Sequence, residues 1–371
     1  MGSFMSGTAI TMDSALGAGV RSETWPAWQR FKLLYLGADG RIADGEAHIT
    51  TSEDQAYALF FALVGNDRSA FDLILGWTHD NLCTGKLDKV LPARQWGRAR
   101  NGVWRVLDGN AAASADLWLA YSLGEAGRLW NKSRYANLAA QVAANIIQQE
   151  VTAIPRLGTV LLPGPQGFVS EHGWRLNPGN LPLSVLRGLA RQTRDPQWTQ
   201  IAQSSERIIL GAAPHGIVPD WIEFDRDGLR VDRRTGAIGT YDAMRVYLWA
   251  GMLPASDPAR DTLLNALKSM LNRVAERGTP PEVVDSQTLE MHGDGSPGFS
   301  AALLPMLANA HMTSTLQIQR LRAAEGSLQN DQNHYSDALA LFGLGWLEQR
   351  YRFNRAGLLN VRWTAAGTRP H

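Results

Sequence analysis

Apolar residues recur at helical spacing along nearly the whole chain. Between Asp67 and Leu82, for instance, Phe71, Ile74, Leu75, Thr78 and Leu82 fall on one face. The pattern predicts helices over 25–36, 54–65, 67–82, 114–130, 133–150 and 181–193. It continues with 197–210, 240–253, 258–276, 298–308, 313–325 and 334–350. Start signals support several of them. Thr51-Ser52 followed by Gln55 reads as a capping box, and Pro258 after Ser256-Asp257 opens another helix. Strand-like pieces are short, at 159–162 and 229–231, and predict a hairpin or two and no large sheet.

Twelve helices without a Gly/Ser-rich linker predict one all-α domain over 25–355. It is flanked by an N-terminal tail (1–24) and a C-terminal tail (356–371). Met1-Gly2-Ser3 ahead of a second Met at position 5 reads as a cloning scar. The stretch lacks the charged and apolar regions of a secretory signal. A solenoid would repeat at a fixed period, and no repeat is found. The expectation is therefore a closed toroid of six helical hairpins, with short β-hairpins in its loops. The connecting stretches 37–53, 83–113, 151–180 and 211–240 are long and rich in Trp, Pro and Gly, as functional loops often are.

Composition removes several function classes. Of 371 residues, 44% are hydrophobic and 19% charged, which is the balance of a folded globular chain. A net charge of +1 argues against a nucleic-acid binder, and no apolar run is long enough to span a membrane. Cys83 is the single cysteine, so neither an intrachain disulfide nor a cysteine metal cage can form. The eight histidines show no metal-ligand spacing, and P-loop, Gly-x-Gly-x-x-Gly and nucleophile-elbow motifs are absent. No metal or cofactor is expected.

Carboxylates at loop-to-helix junctions remain. Glu53 is one; backed by Tyr57 and Phe60, it could be desolvated and kept protonated as a general acid. Asp242 is another, with Arg245 three residues on to hold it ionised. Asp116 is a third. On spacing alone each is as well explained as an acid that offsets the positive end of a helix, which is the commoner role. Trp96, Trp104, Trp174 and Trp221 lie in Gly/Pro-rich loops, where flat rings suit pyranose stacking, although core burial is the usual fate of a tryptophan.

Longer stretches carry a resemblance. They include Trp25-Pro26-Ala27-Trp28, Thr50-Thr51-Ser52-Glu53-x-Gln55-x-Tyr57 and Asn66-Asp67-Arg68. Asp116-Leu117-Trp118-Leu119-Ala120-Tyr121, Pro219-Asp220-Trp221, Tyr241-Asp242-Ala243-Met244-Arg245 and Leu341-Phe342-Gly343 follow in order. From about Trp25 to Phe353 the chain resembles glycoside hydrolase family 8, in particular the members encoded with bacterial cellulose synthases. The resemblance implies an (α/α)6 barrel with a groove at one end, and metal-free, inverting, endo-acting hydrolysis of β-1,4-glucan. Glu53 falls on the general acid and Asp242 on the general base. Tyr241 and Arg245 are expected to orient Asp242, with Ser114, Asp116, Asn177 and Asn180 near the cleavage subsite. Tyr57, Trp96, Trp174 and Trp221 are expected to contact glucan chains or cellooligosaccharides. Periplasmic or secreted residence and association with a cellulose-synthase complex are also implied.

The sequence departs from the family at the substrate side. Ser114 stands where the family has an active-site Asp, and Gly179-Asn180 replaces Ser-Tyr. Arg94 takes the place of a loop Trp, and Ala56 and Ala58 replace Ser and Gly. Two expectations follow: hydrolysis with Ser114 and Asn180 slowing turnover, or a weakened glucan-binding subunit of the synthesis machinery. A helical scaffold for protein partners is the alternative from another class.

Overall fold

A computed structural model describes residues 24–43, 49–326 and 333–365. Its helices are α1 (Pro26–Tyr35), α2 (Ser52–Val64), α3 (Arg68–Asn81), α4 (Ala113–Leu129) and α5 (Ser133–Glu150). Then come α6 (Leu183–Thr193), α7 (Pro196–Ala212), α8 (Tyr241–Gly251), α9 (Arg260–Ala266) and α10 (Lys268–Arg277). The last are α11 (Pro297–Asn309), α12 (Thr313–Gly326), α13 (His334–Leu347) and the single turn α14 (Arg362–Ala365).

Two kinds of helix alternate. Helices α2, α4, α8, α11 and α13 are buried almost all round, whereas α3, α5 and α7 bury one stripe. In α5 that stripe is Tyr135, Ala139, Val142, Ala143 and Ile146, the i, i+4, i+7, i+8, i+11 spacing of an amphipathic helix. The contacts match this division. Helix α2 packs on α4, α4 on α6, α6 on α8, α8 on α11, α11 on α13 and α13 on α2. Each one-sided helix lies on a sequence neighbour: α3 on α2, α5 on α4, α7 on α6 and α12 on α11. Aromatic rings fill the middle, where Phe342 lies 5.4 Å from Phe60, 5.0 Å from Trp118 and 5.2 Å from Trp249. Burial of each such ring contributes about 1.5–3 kcal/mol.

The β content exceeds a hairpin or two. Antiparallel strands β1 (Ile49–Thr51), β2 (Gln95–Arg98) and β3 (Trp104–Asp108) form one small sheet, and β4 (Val151–Ile154) pairs with β5 (Gly158–Leu161). A four-stranded sheet runs through β6 (Val169–Ser170), β7 (Gly173–Leu176), β8 (Ile222–Asp225) and β9 (Gly228–Val231). The others are β10 (Ile238–Gly239) with β11 (Pro281–Asp285) and β12 (Met291–Asp294), and β13 (Tyr351–Phe353) with β14 (Leu359–Val361). Thus the long loops are stiffened by pairing, and Trp174 and Trp221 sit in or beside one sheet.

Three local expectations are corrected. The capping box of α2 is Thr51 with Asp54; Gln55 instead accepts the Ile42 N–H at 2.6 Å and donates to Thr78 at 3.1 Å. The shorter Asp54 side chain folds back onto the Thr51 N–H at 3.0 Å. The helix expected over 258–276 is broken at Leu267, whose φ of −95° and ψ of 0° interrupt the helical run without Gly or Pro. Finally, part of the expected C-terminal tail is packed. Leu359 and Val361 are buried, and Glu125 accepts the Leu359 N–H at 2.8 Å.

Candidate functional site

Thr51 caps α2, so Glu53 projects from its first turn. Asp54 beside it pairs with Nε2 of His334 on α13 at 3.0 Å, which ties the start of α2 to a second helix. The start of α8 brings Asp242 and, one turn on, Arg245. These residues lie far apart in sequence and meet in space. Arg245 Nη1 donates to Glu53 Oε1 in a short contact, and Nη2 donates to Asp242 Oδ1 at 2.5 Å. One buried guanidinium therefore serves two carboxylates, where the sequence pointed to Asp242 alone. Burial opposes its charge, but Glu53, Tyr335, Asp242 and Tyr57 together raise the Arg245 pKa well above its ordinary value.

Both carboxyls retain access to solvent, with 20% of the Glu53 side chain and 32% of the Asp242 side chain exposed. Tyr57 donates its hydroxyl to Glu53 Oε1 at 3.0 Å. Phe60, expected to shelter Glu53, belongs to the central aromatic cluster instead. On the other side Asn177 donates to Asp242 Oδ2 at 2.8 Å, and Asn180 accepts from Arg245 at 3.0 Å. Asn177 caps, and Asn180 closes, a 3-10 turn at Pro178–Asn180 whose Gly179 carbonyl accepts the Trp249 indole N–H at 2.9 Å. Gly179 is required by proximity: a Cβ there would lie 2.2 Å from the Asp242 carbonyl oxygen. The departure from Ser-Tyr thus lets the turn press against the start of α8.

The other expected residues have surroundings of their own, and Trp96 lies opposite Thr50, three residues before Glu53. The Tyr241 hydroxyl receives the Asn333 amide at 3.3 Å and does not bond the Asp242 carboxyl. Ser114 is buried in the first turn of α4. Asp116 is fully buried, and its neighbour is Glu150 at the end of α5. Burial pushes both of these carboxyls well above the usual range, and the charge of Asp116 adds to the shift at Glu150. Trp96 stacks on Trp104 at 5.1 Å and meets Trp77 edge-on at 5.2 Å, with Arg41 over both Trp96 and Trp104. Trp174 is half-buried beside Phe224. Trp221 lies parallel to Phe168 at 5.9 Å, and the Arg175 guanidinium stands 3.7 Å from its centroid.

Tyr335 escaped the sequence reading. Its hydroxyl is buried without a hydrogen-bond partner among the described residues, and its ring meets Tyr241 edge-on at 5.4 Å. Burial and the nearby Glu53 raise its pKa, with Arg245 opposing them. The only signal was its position at the first turn of a predicted helix. Among the described residues no cluster of His, Cys, Asp and Glu could hold a metal ion.

Two carboxyls from distant segments, each with its own amide or phenol donor and sharing one guanidinium, can act on opposite sides of a bound group. The sequence matches the profile described as glycosyl hydrolases family 8 over residues 1–349. The chain belongs to glycosyl hydrolase family 8. Similar relatives of this family 8 chain include an endoglucanase of Escherichia coli O157:H7, 43% identical over 92% of both chains. Another is an endoglucanase of Xanthomonas axonopodis pv. citri, 44% identical over 96% of this chain and 94% of that one. Among solved structures, the endo-1,4-D-glucanase of Vibrio fischeri ES114 superposes with a TM-score of 0.86 at 40% identity. That match covers 92% of this chain and 99% of the other.

Proposed function

We propose that this family 8 protein is an endo-acting β-1,4-glucanase that hydrolyses with inversion. The observation that carries the reading is the Arg245 bridge between Glu53 and Asp242. Inverting glycosidases need an acid and a base set about 6.5–9.5 Å apart, with room for water between base and sugar. A guanidinium between two carboxyls keeps them apart without joining them.

In this mechanism Glu53 protonates the departing glycosidic oxygen and Asp242 takes a proton from water on the opposite face. Asn177 and Arg245 fix the Asp242 carboxylate through separate oxygens, which restricts the direction from which water can approach. Tyr57 fixes Glu53. The helix contacts support a closed (α/α)6 ring in which α2, α4, α6, α8, α11 and α13 form the inner layer. Glu53 and Asp242 then share one rim. The endoglucanase relatives support β-glucan as substrate, and periplasmic or secreted residence alongside cellulose synthesis completes the reading.

The test is incubation with carboxymethylcellulose and cellohexaose, with product anomers read by NMR. Internal cleavage giving the α-anomer first is expected, and Glu53→Gln should lower turnover about 10³-fold while cellopentaose still binds. A Glu53→Gln enzyme with most of its activity overturns the acid assignment. One feature favours a second reading, a glucan-binding subunit with little turnover: residue 114 is Ser where the family resemblance implies an acid. Cellopentaose binding without product at high protein concentration would select it.

A further inference from the structure

The Pro219-Asp220-Trp221 motif is not used by the mechanism above, yet it touches the element that carries the base. Helix α8 has no cap of its own, because the Thr240 side chain makes no hydrogen bond to the first turn. The exposed N–H groups of such a turn need acceptors. Asp220, twenty residues upstream, supplies them. Its Oδ1 accepts the N–H of Thr240 at 2.7 Å and that of Ala243 at 2.8 Å. Its Oδ2 accepts the Thr240 hydroxyl at 2.6 Å. These contacts lie on either side of Asp242 in the chain.

Asp220 is itself held. Its N–H donates to the Ile238 carbonyl at 2.8 Å. The ring of the next residue, Trp221, lies parallel to Phe168 with the Arg175 guanidinium over it, and Arg175 in turn makes two bonds to Asp232 at 2.8 and 3.0 Å. We infer that Asp220 is a positioning residue for the reaction: it caps α8 from outside the helix and sets where the Asp242 carboxylate stands. This rests on the reading of Asp242 as the base. Burial, and after it the charge of Asp242, raise the Asp220 carboxyl, as befits an acid placed close to another for its hydrogen bonds.

Two substitutions separate cap from charge. Asp220→Asn keeps an oxygen for both N–H groups, and its amide can donate to Thr240 once that hydroxyl turns to accept. Asp220→Ala removes every contact. Misplacing a reacting group by about 1 Å can cost about 100-fold, so kcat on cellohexaose should fall about 100-fold in Asp220→Ala with KM within about threefold. Asp220→Asn should recover kcat to within about fivefold of the parent. If Asp220→Ala does not fold, Asp220→Ser takes its place, since the shorter side chain cannot reach both N–H groups and should show the same loss. An alanine or serine variant with kcat within about threefold of the parent, whatever its melting temperature, overturns the inference. So does an asparagine variant as slow as the alanine one, because charge and not the cap would then be the cause. Asp242→Asn is measured alongside. If it stays active, the base assignment itself fails; if it is dead while Asp220→Ala is normal, only the cap inference fails.

Discussion

Glu53 and Asp242 meet across the guanidinium of Arg245 and keep 20% and 32% of their side chains exposed, whereas Asp116 and Glu150 meet with no exposure at all. Burial is the largest influence on both carboxyls of the buried pair, and no cation is among the groups that act on them. Two carboxyls in that position are stable only if a proton lies between them, since an uncompensated buried charge costs several kcal/mol. Before the structure, Glu53, Asp242 and Asp116 looked alike: acids at helix starts. Their difference comes from the neighbour that folding delivers. A cation and solvent make one pair available for proton transfer, and their absence makes the other a proton-sharing fastening between α4 and α5.

Removing the cation should separate the two pairs most severely. Arg245→Met preserves much of the side-chain length and leaves both carboxyls without their shared partner. Turnover on carboxymethylcellulose should fall at least about 100-fold, because both reacting groups lose their orientation. Removing one partner of a buried ion pair costs about 3 kcal/mol, so the denaturation midpoint should fall as well. Arg245→Lys should lie between, as a single ammonium cannot bond both carboxyls in the same fork geometry. If Arg245→Met keeps near-parental turnover, the bridge is incidental and the contrast between the two pairs loses its meaning.

The second effect is on pH and stability. Both members of the buried pair have folded pKa values above their unfolded ones. The stability they contribute is therefore complete below the ordinary carboxyl range, about pH 4, and is lost as pH rises through the folded values. Each proton retained by the folded state lowers stability by about 1.4 kcal/mol per pH unit in that window. Asp116→Asn combined with Glu150→Gln removes both titrations. Its melting temperature should decline less than that of the parent between about pH 5 and 8. Parallel melting curves across that range would show that the pair holds no proton.

How legible all this was in the sequence depends on the distance over which each feature is decided. The twelve helical segments were readable because burial repeats every three or four residues, as in the Tyr135 to Ile146 stripe of α5. Glu53, Asp242 and Arg245 could be picked out as candidates because each sits at a helix start or one turn beyond. What could not be read was tertiary. Nothing near Arg245 in sequence announces its contact with Glu53, 192 residues away, and Asp116 does not announce Glu150. The break at Leu267 likewise has no local marker. Trp221 is of the same kind, since nothing near it in sequence announces that Phe168 and Arg175 lie against its ring.

Glu150→Gln alone replaces one carboxyl by an amide of nearly the same shape, whose N–H can do for Asp116 what the shared proton does in the parent. The bond between the end of α5 and the first turn of α4 is then kept, and stability near pH 5 should change by less than about 1 kcal/mol. Turnover should stay within about twofold, since Glu150 is not among the groups that act on Arg245. Glu150→Leu has similar bulk but offers no donor. It leaves Asp116 buried and unpaired and should cost about 1–3 kcal/mol more, read as a lower urea midpoint at the same pH. Equal losses in the two variants would mean that packing volume, and not a proton between two acids, is what Glu150 contributes.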